Sequence, residues 1–305
     1  MSEHVVDDLE NLIFRDVLNE LGPDQSGEIE ALSLRSILTL YGTWRSRLIS
    51  PAPRTSHLST DIVASAAYSK HRSVVDSIIA KSERGLNLMP HQSRRITTIY
   101  QPTTTRPAER NLRQDLDLLV SEWGIQHLHL STIAGRNGLV AGTRELLFAV
   151  FRPRDVYFIG IFPHEWTNEE FVRICVRNWP GADLFHQVSS TNALANPSRP
   201  ENRESLRTAG ITSFLEVDGR VYMPPGQTAA GAPIAAARKS MQVIATLNDL
   251  RTSLALNSNH FSDQLVELGV VVHGKPIWVP SKRANQYGFV DAHSGVFIPV
   301  VTLLD

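Results

Sequence analysis

The sequence predicts an α+β fold with a helical N-terminal region, a small antiparallel central sheet flanked by helices, and a hairpin-rich C-terminal region. Three observations predict it. Apolar residues recur at three- and four-residue steps through the first 85 positions, the period shortens to two between Ile125 and Phe162, and hairpin-type turn signals gather after Phe214.

In order along the chain, Val5, Val6, Leu9, Ile13, Val17 and Leu21 mark one face of a first helix that Gly22-Pro23 stops. A second helix is expected over 28–48, broken by the Ser50-Pro51-Ala52-Pro53 segment. A third runs from a Ser59 or Thr60 cap to about Arg84, with Gly85 past its end. Residues 1–85 thus read as a helical region and 86–111 as a basic linker or loop, where Arg84, Arg94, Arg95, Arg106, Arg110 and Arg113 face a single opposing Glu109.

The central unit, 112–182, opens with a helix over 112–122. In Ile125-Gln126-His127-Leu128-His129-Leu130-Ser131 the leucines take one face and the histidines the other. Two apolar strands follow, 145–151 and 156–162, joined by Arg152-Pro153-Arg154-Asp155, which completes a three-stranded antiparallel sheet. Thr167 and Glu170 form a capping-box pattern for the helix that ends at Asn178-Trp179-Pro180. The C-terminal region, 183–305, holds a short helix from Pro200, a hairpin about Asp218-Gly219, and a long helix over 233–256 with Ile234, Ala237, Met241, Ile244, Leu247, Leu250 and Leu254 inward. Two closing hairpins are expected, over 270–279 and 287–301.

Composition narrows the function classes. With 42% apolar and 20% charged residues over 305 positions, the chain is globular rather than disordered and long enough for two or three packed units. A net charge of −1 leaves any nucleic-acid contact to a local patch. The single Cys175 forms no intramolecular disulfide, the acidic start lacks the character of a signal peptide, and Val156–Phe162 is far shorter than the roughly 20 residues of a membrane span. The expectation is a cytoplasmic protein with no membrane partner.

The residues that can carry chemistry converge on the central sheet. His127 and His129 share a strand face, His164 follows the third strand, Arg144 and Arg136 flank the second, and Tyr157 lies on the third. Cleavage of a phosphodiester needs a base for the attacking hydroxyl, an acid for the leaving oxygen and a cation for the charged transition state, and these residues supply each type. The leading reading is a metal-independent ribonuclease with His127 or His129 as base, His164 as acid and Arg144 stabilising phosphate, and it calls for no cofactor. Arg94, Arg95, Arg106, Arg110, Arg136, Arg152 and Arg154 are its candidate RNA contacts. Two alternatives stand beside it: a metal-dependent hydrolase with His127, His129 and His164 as ligands, and a non-catalytic binding or regulatory protein whose hairpins add strands to a partner. His-Leu-Ser-Thr occurs at 57–60 and again at 129–132, as in phosphoesterases with paired His-x-Ser/Thr motifs, but the first copy reads as a helix cap.

The run of a helix, His127-Leu-His129-Leu, Arg144-Glu-Leu-Leu-Phe, Val156-Tyr-Phe-Ile and His164 resembles the core of RelE/HigB-like toxins, over about 112–180. That resemblance implies a messenger-RNA endonuclease with catalytic polar residues on an exposed sheet face, and a cognate inhibitor or a homo-oligomer as protein partner. The whole chain is also similar to a family of bacterial and mobile-element proteins without an assigned activity. The pieces that carry this likeness are Gly85-Leu86, Pro90-His91-Gln92-Ser93, the His-Leu-His-Leu strand and Asn178-Trp179-Pro180.

Overall fold

The structure, a computed structural model, describes residues 4–22, 29–97, 117–135, 137–191, 193–195, 199–257, 259–269 and 276–303. Its elements run α1 (His4–Leu21), α2 (Leu34–Arg47), β1 (Thr55–Leu58), α3 (Thr60–Ala64), α4 (Ala66–Glu83), α5 (Leu118–Trp123), β2 (Ile125–His129), β3 (Leu146–Phe151), β4 (Asp155–Phe162) and α6 (Glu170–Asn178). They continue with β5 (His186–Gln187), α7 (Pro200–Thr208), β6 (Leu215–Val217), β7 (Arg220–Met223), α8 (Ile234–Leu256), α9 (His260–Glu267), β8 (Trp278–Arg283), β9 (Gln286–Asp291) and β10 (Phe297–Thr302). The fold class is α+β as expected, but the chain divides differently. Met1–Gly42 and Ala236–Asp305 form one compact unit, and Thr43–Ala235 the other.

The expected helical body over 1–85 does not exist as such, because β1 lies inside it. Thr55–Leu58 pairs in parallel with β4, His57 opposite Tyr157, and makes the central sheet four-stranded and mixed in the order β1-β4-β3-β2. Ser59 then serves two elements at once. Its hydroxyl accepts from the Ile62 N–H, capping α3, and donates to the Ile159 carbonyl on β4 at 2.6 Å. The expected single helix from there to Arg84 is interrupted at Ser65, whose extended backbone ends α3 and whose hydroxyl caps α4.

The alternation read from Ile125–His129 sets up two cores. Ile125, Leu146, Phe148 and Val150 pack on one face against Phe171, Val172, Ile174 and Cys175 of α6. Leu128, Leu147, Ala149 and Phe158 pack on the other against Ile62, Val75 and Ile78 of α3 and α4. Neither face is open to water over its length, so the histidine face is not the exposed sheet surface that the toxin resemblance implied. Cys175 belongs to this core, where burial pushes its thiol pKa up.

Residues 86–97 are not a free linker. Leu88, His91, Gln92 and Ile96 are buried. The Gln92 amide donates to the Arg47 carbonyl at 2.7 Å and to Gln126 Oε1 on β2 at 3.2 Å, while Arg47 donates to the Arg95 carbonyl at 2.6 Å. Two short 3₁₀ turns, Met89–His91 and Arg94–Thr97, are thereby pinned beside β2. Residues 98–111 lie outside the described residues.

Further along, Thr167 caps nothing. The N-cap of α6 is Glu169, which makes no capping side-chain bond, and Asn168 Oδ1 accepts the Glu170 N–H instead. The Asp218-Gly219 hairpin stands as predicted, with positive φ at both residues, and joins β5 in the sheet β5-β7-β6. In the other unit, α8 buries Leu247, Leu250 and Leu254 as expected, but Ile234 and Met241, also expected inward, are exposed, and Ala236, Ser240 and Val243 are buried in the first half of the helix instead. Of the hairpin expected over 270–279, residues 270–275 lie outside the described residues; β8, which holds its last two positions, pairs with β9 about Ala284-Asn285. The β9–β10 hairpin forms as predicted.

The end of α5 carries a buried ion pair. Glu122 and Arg207 are 0% and 3% exposed, and Arg207 Nε donates to Glu122 Oε2 at 2.5 Å. The guanidinium also donates to the Trp166 carbonyl and lies over the Trp123 ring, 4.6 Å from its centroid. Removing one partner strands a charge away from water. Glu122→Leu and Arg207→Met are each expected to destabilise the protein by about 3–5 kcal/mol in denaturant unfolding. The double variant should lose clearly less than the two together.

Candidate active site

A cleft of about 760 Å³ opens beside β2, lined by His127, His129, His164, Trp166, Asp117 and the turn residues Ser93, Arg94 and Arg95, with Arg207 at its wall. The three histidines come from two places. His127 and His129 stand two apart on an edge strand, and His164 follows the end of β4. The His127 and His129 rings are 6.0 Å apart between centroids, and the His129 and His164 rings 6.4 Å. Trp166 fills the angle between them, 4.9 Å from the His127 ring and 5.5 Å from the His164 ring. Its own carbonyl is held by Arg207, so the Glu122–Arg207 pair fixes this wall of the cleft.

Each histidine has a distinct environment. His127 is 8% exposed, and its Nδ1 is buried without a hydrogen-bond partner, 4.0 Å from Asp117 Oδ2. Burial lowers its pKa, Asp117 opposes that shift, and His164 and Arg95 reinforce it. His129 Nδ1 receives the Thr143 backbone N–H at 3.1 Å. Because a backbone N–H only donates, the neutral ring carries its proton on Nε2 and offers the cleft an N–H donor rather than a lone pair. Burial, then His127, His164, Arg94 and His91, lowers the His129 pKa to about 4. His164 is exposed. Outside the cleft, His91 gives its Nδ1–H to the His129 carbonyl at 2.9 Å and braces β2 from behind.

Of the residues singled out in the sequence, His127, His129, His164, Arg94 and Arg95 meet at this cleft. Arg144 does not line it. It is exposed in the approach to β3, while its neighbour Glu145 pairs with Lys70 and His71. Tyr157 sits on the Ile125–Val150 row of the sheet, stacked on His57 at 4.7 Å and against Trp179. Arg152 and Arg154 occupy the β3–β4 turn, at the end of the sheet away from His129. Arg106, Arg110 and Arg136 lie outside the described residues. His57 of the first His-Leu-Ser-Thr copy bonds Asp155 at 2.8 Å on the opposite edge strand from His129, so the two copies do not form one site. Among the described residues, no three His, Cys, Asp or Glu side chains are grouped as metal ligands, and no helix is long and apolar enough to cross a membrane.

No protein-family model, curated protein or solved structure matches this chain.

Sequence reasoning missed Asp117, Trp166 and Arg207. Asp117, which the sequence places inside a helix over 112–122, is the N-cap of α5, its Oδ1 accepting the Val120 N–H at 3.2 Å, and residues 112–116 lie outside the described residues. Nothing local announced that its other oxygen faces His127.

The lowered histidine pKa values make stability depend on pH. Between the ordinary value of 6.5 and about 4, the unfolded chain binds protons that folded His129 refuses, so stability is complete above pH 6.5 and is lost as pH falls through that interval. The melting temperature should therefore drop from pH 6.5 to pH 4, and His129→Gln should reduce that drop. A melting temperature that rises with acidification would contradict the assignment.

Proposed function

We propose that this protein is a metal-independent endoribonuclease of toxin or defence type, acting through the histidine cleft. The observation that carries the reading is the convergence of His127, His129 and His164 with Arg94 and Arg95, two exposed cations, around one cavity. His127 takes the proton of a ribose 2′-hydroxyl, whose oxygen attacks the adjacent phosphorus. His164 returns a proton to the departing 5′-oxygen, leaving a 2′,3′-cyclic phosphate and a 5′-hydroxyl. The His129 Nε2–H and the two arginines donate to the non-bridging oxygens, where negative charge builds in the transition state. In this form the phosphate cations are Arg94 and Arg95 in place of Arg144, and His129 is a donor rather than the base.

A neutral His129 suits that role. Its depressed pKa keeps the ring uncharged at neutral pH, so the cleft holds a neutral donor there rather than a further cation. RNA is the polyanion whose cleavage needs only an acid, a base and cations, because its own 2′-hydroxyl is the nucleophile.

Purified protein should cleave single-stranded RNA in the presence of EDTA. His127→Asn and His164→Asn should each reduce the rate by about 10²-fold or more. Arg94→Glu with Arg95→Glu should weaken RNA binding and flatten its dependence on salt. Cleavage that appears only when a divalent metal is added would favour the metal-hydrolase alternative. Intact RNA at high protein concentration would overturn the proposal.

A further inference from the structure

We infer that Asp117 is the positioning residue of His127: its carboxylate holds the proton on His127 Nδ1, so that Nε2 presents a lone pair to the cleft. This rests on the nuclease reading for its catalytic consequence, while the Asp–His coupling stands on geometry of its own. His127 Nδ1 is shut off from water and has no hydrogen-bond partner, a situation that a buried ring nitrogen rarely keeps. The carboxylate oxygen Asp117 Oδ2 is 4.0 Å from it. A second, small cavity of about 10 Å³ is lined by both groups together with Gln92 and Gln126.

Local structure makes the pairing easy to complete. Asp117 is the N-cap of α5, held through Oδ1 by the Val120 N–H at 3.2 Å, which leaves Oδ2 turned toward the ring. A carboxylate rotates about its terminal torsion at little cost, and a rotation shared with the ring closes the remaining ångström. Once Nδ1–H donates to Oδ2, the tautomer is settled and the developing imidazolium is stabilised when the base takes its proton. The two histidines of the strand then have opposite tautomers. His129 keeps its proton on Nε2 because a backbone N–H occupies Nδ1, and His127 keeps its proton on Nδ1 because a carboxylate faces it. One ring donates to phosphate and the other accepts from the hydroxyl.

The charged and titratable groups that face His127 are Asp117 from the α5 cap, Arg95 from the 3₁₀ turn, His164 beyond β4, and His129 on its own strand. Of these, Asp117 alone favours the protonated ring, so its removal has a definite sign.

The test is Asp117→Asn in the full chain. Asparagine is as good an N-cap as aspartate, so α5 is retained, and circular dichroism with a melting curve checks that it is. Ring ¹⁵N NMR of the wild-type protein should show His127 protonated on Nδ1 and His129 on Nε2. In the variant the His127 titration midpoint should move to lower pH. With RNA as substrate, kcat should fall by about 10²-fold with KM little changed, and the acid limb of the pH–rate profile should move down with the midpoint. A merely structural role for Asp117 would lower activity without moving either. A wild-type His127 protonated on Nε2, or a midpoint unmoved in folded Asp117→Asn, overturns the inference. If the tautomers and midpoint behave as expected but wild-type protein cleaves no RNA, the coupling stands and the nuclease reading falls.

Discussion

A carboxylate and a guanidinium withdrawn together from water must be held in register, and where Glu122 meets Arg207 the surrounding chain is arranged to hold them. Glu122 closes α5, Arg207 projects from α7, and the same guanidinium takes the carbonyl of Trp166 in the segment after β4. Three stretches about 40 residues or more apart are thus joined at one charged group. Arg203, one turn before Arg207, repeats the device by donating to Glu169 at 2.5 Å and to Ser213 at 2.7 Å. Glu122 Oε1 and Arg207 Nη2 find no hydrogen-bond partner, so a well-packed apolar pair would be at least as favourable energetically. What the ion pair supplies is position. It sets Trp166 against His127 and His164, and it holds α5, whose cap is Asp117, beside the edge strand.

The position matters to the proposed chemistry, which depends on small differences between like residues. His127 and His129 are two apart on one strand, yet a backbone N–H reaches one ring and a carboxylate faces the other. Burial lowers the pKa of both and so favours their neutral forms beside Arg94 and Arg95. In the proposed reaction the neutral rings divide the work, one imidazole donating and the other accepting. A more open sheet face would have allowed both to titrate near pH 6.5.

Elements whose signal was local were legible in the sequence: the amphipathic α1, the alternation of β2, the Asp218-Gly219 turn, and the apolar runs of β3 and β4. Those decided by distant partners were not. Thr55–Leu58 is four residues long and polar at its start, and only pairing with β4, 100 positions away, makes it a strand. Along α8 the period places Leu247, Leu250 and Leu254 inward, where they are, but Ile234 and Met241 fit the same period and are nonetheless exposed. The site divides in the same way. A His-x-His on a strand guarantees that two imidazoles share a face, and His164 at the close of the adjoining hairpin joins them by topology. Arg144 was chosen for its nearness to the sheet in sequence, whereas Arg94 and Arg95 reach the cleft because Gln92 and Arg47 pin their turn to β2. Two residues of the stretch read as a basic linker or loop, both candidate RNA contacts in the sequence, therefore line the cleft.

The most direct test of an acid–base cleft without metal uses an oligodeoxynucleotide containing a single ribonucleotide, incubated with the protein in EDTA. The account predicts one cut, immediately 3′ to the ribonucleotide, leaving a 2′,3′-cyclic phosphate, and none in the all-deoxy strand. The contradicting results are cleavage of the all-deoxy strand, a cut that leaves a 3′-hydroxyl, or a ribonucleotide-containing strand that survives intact.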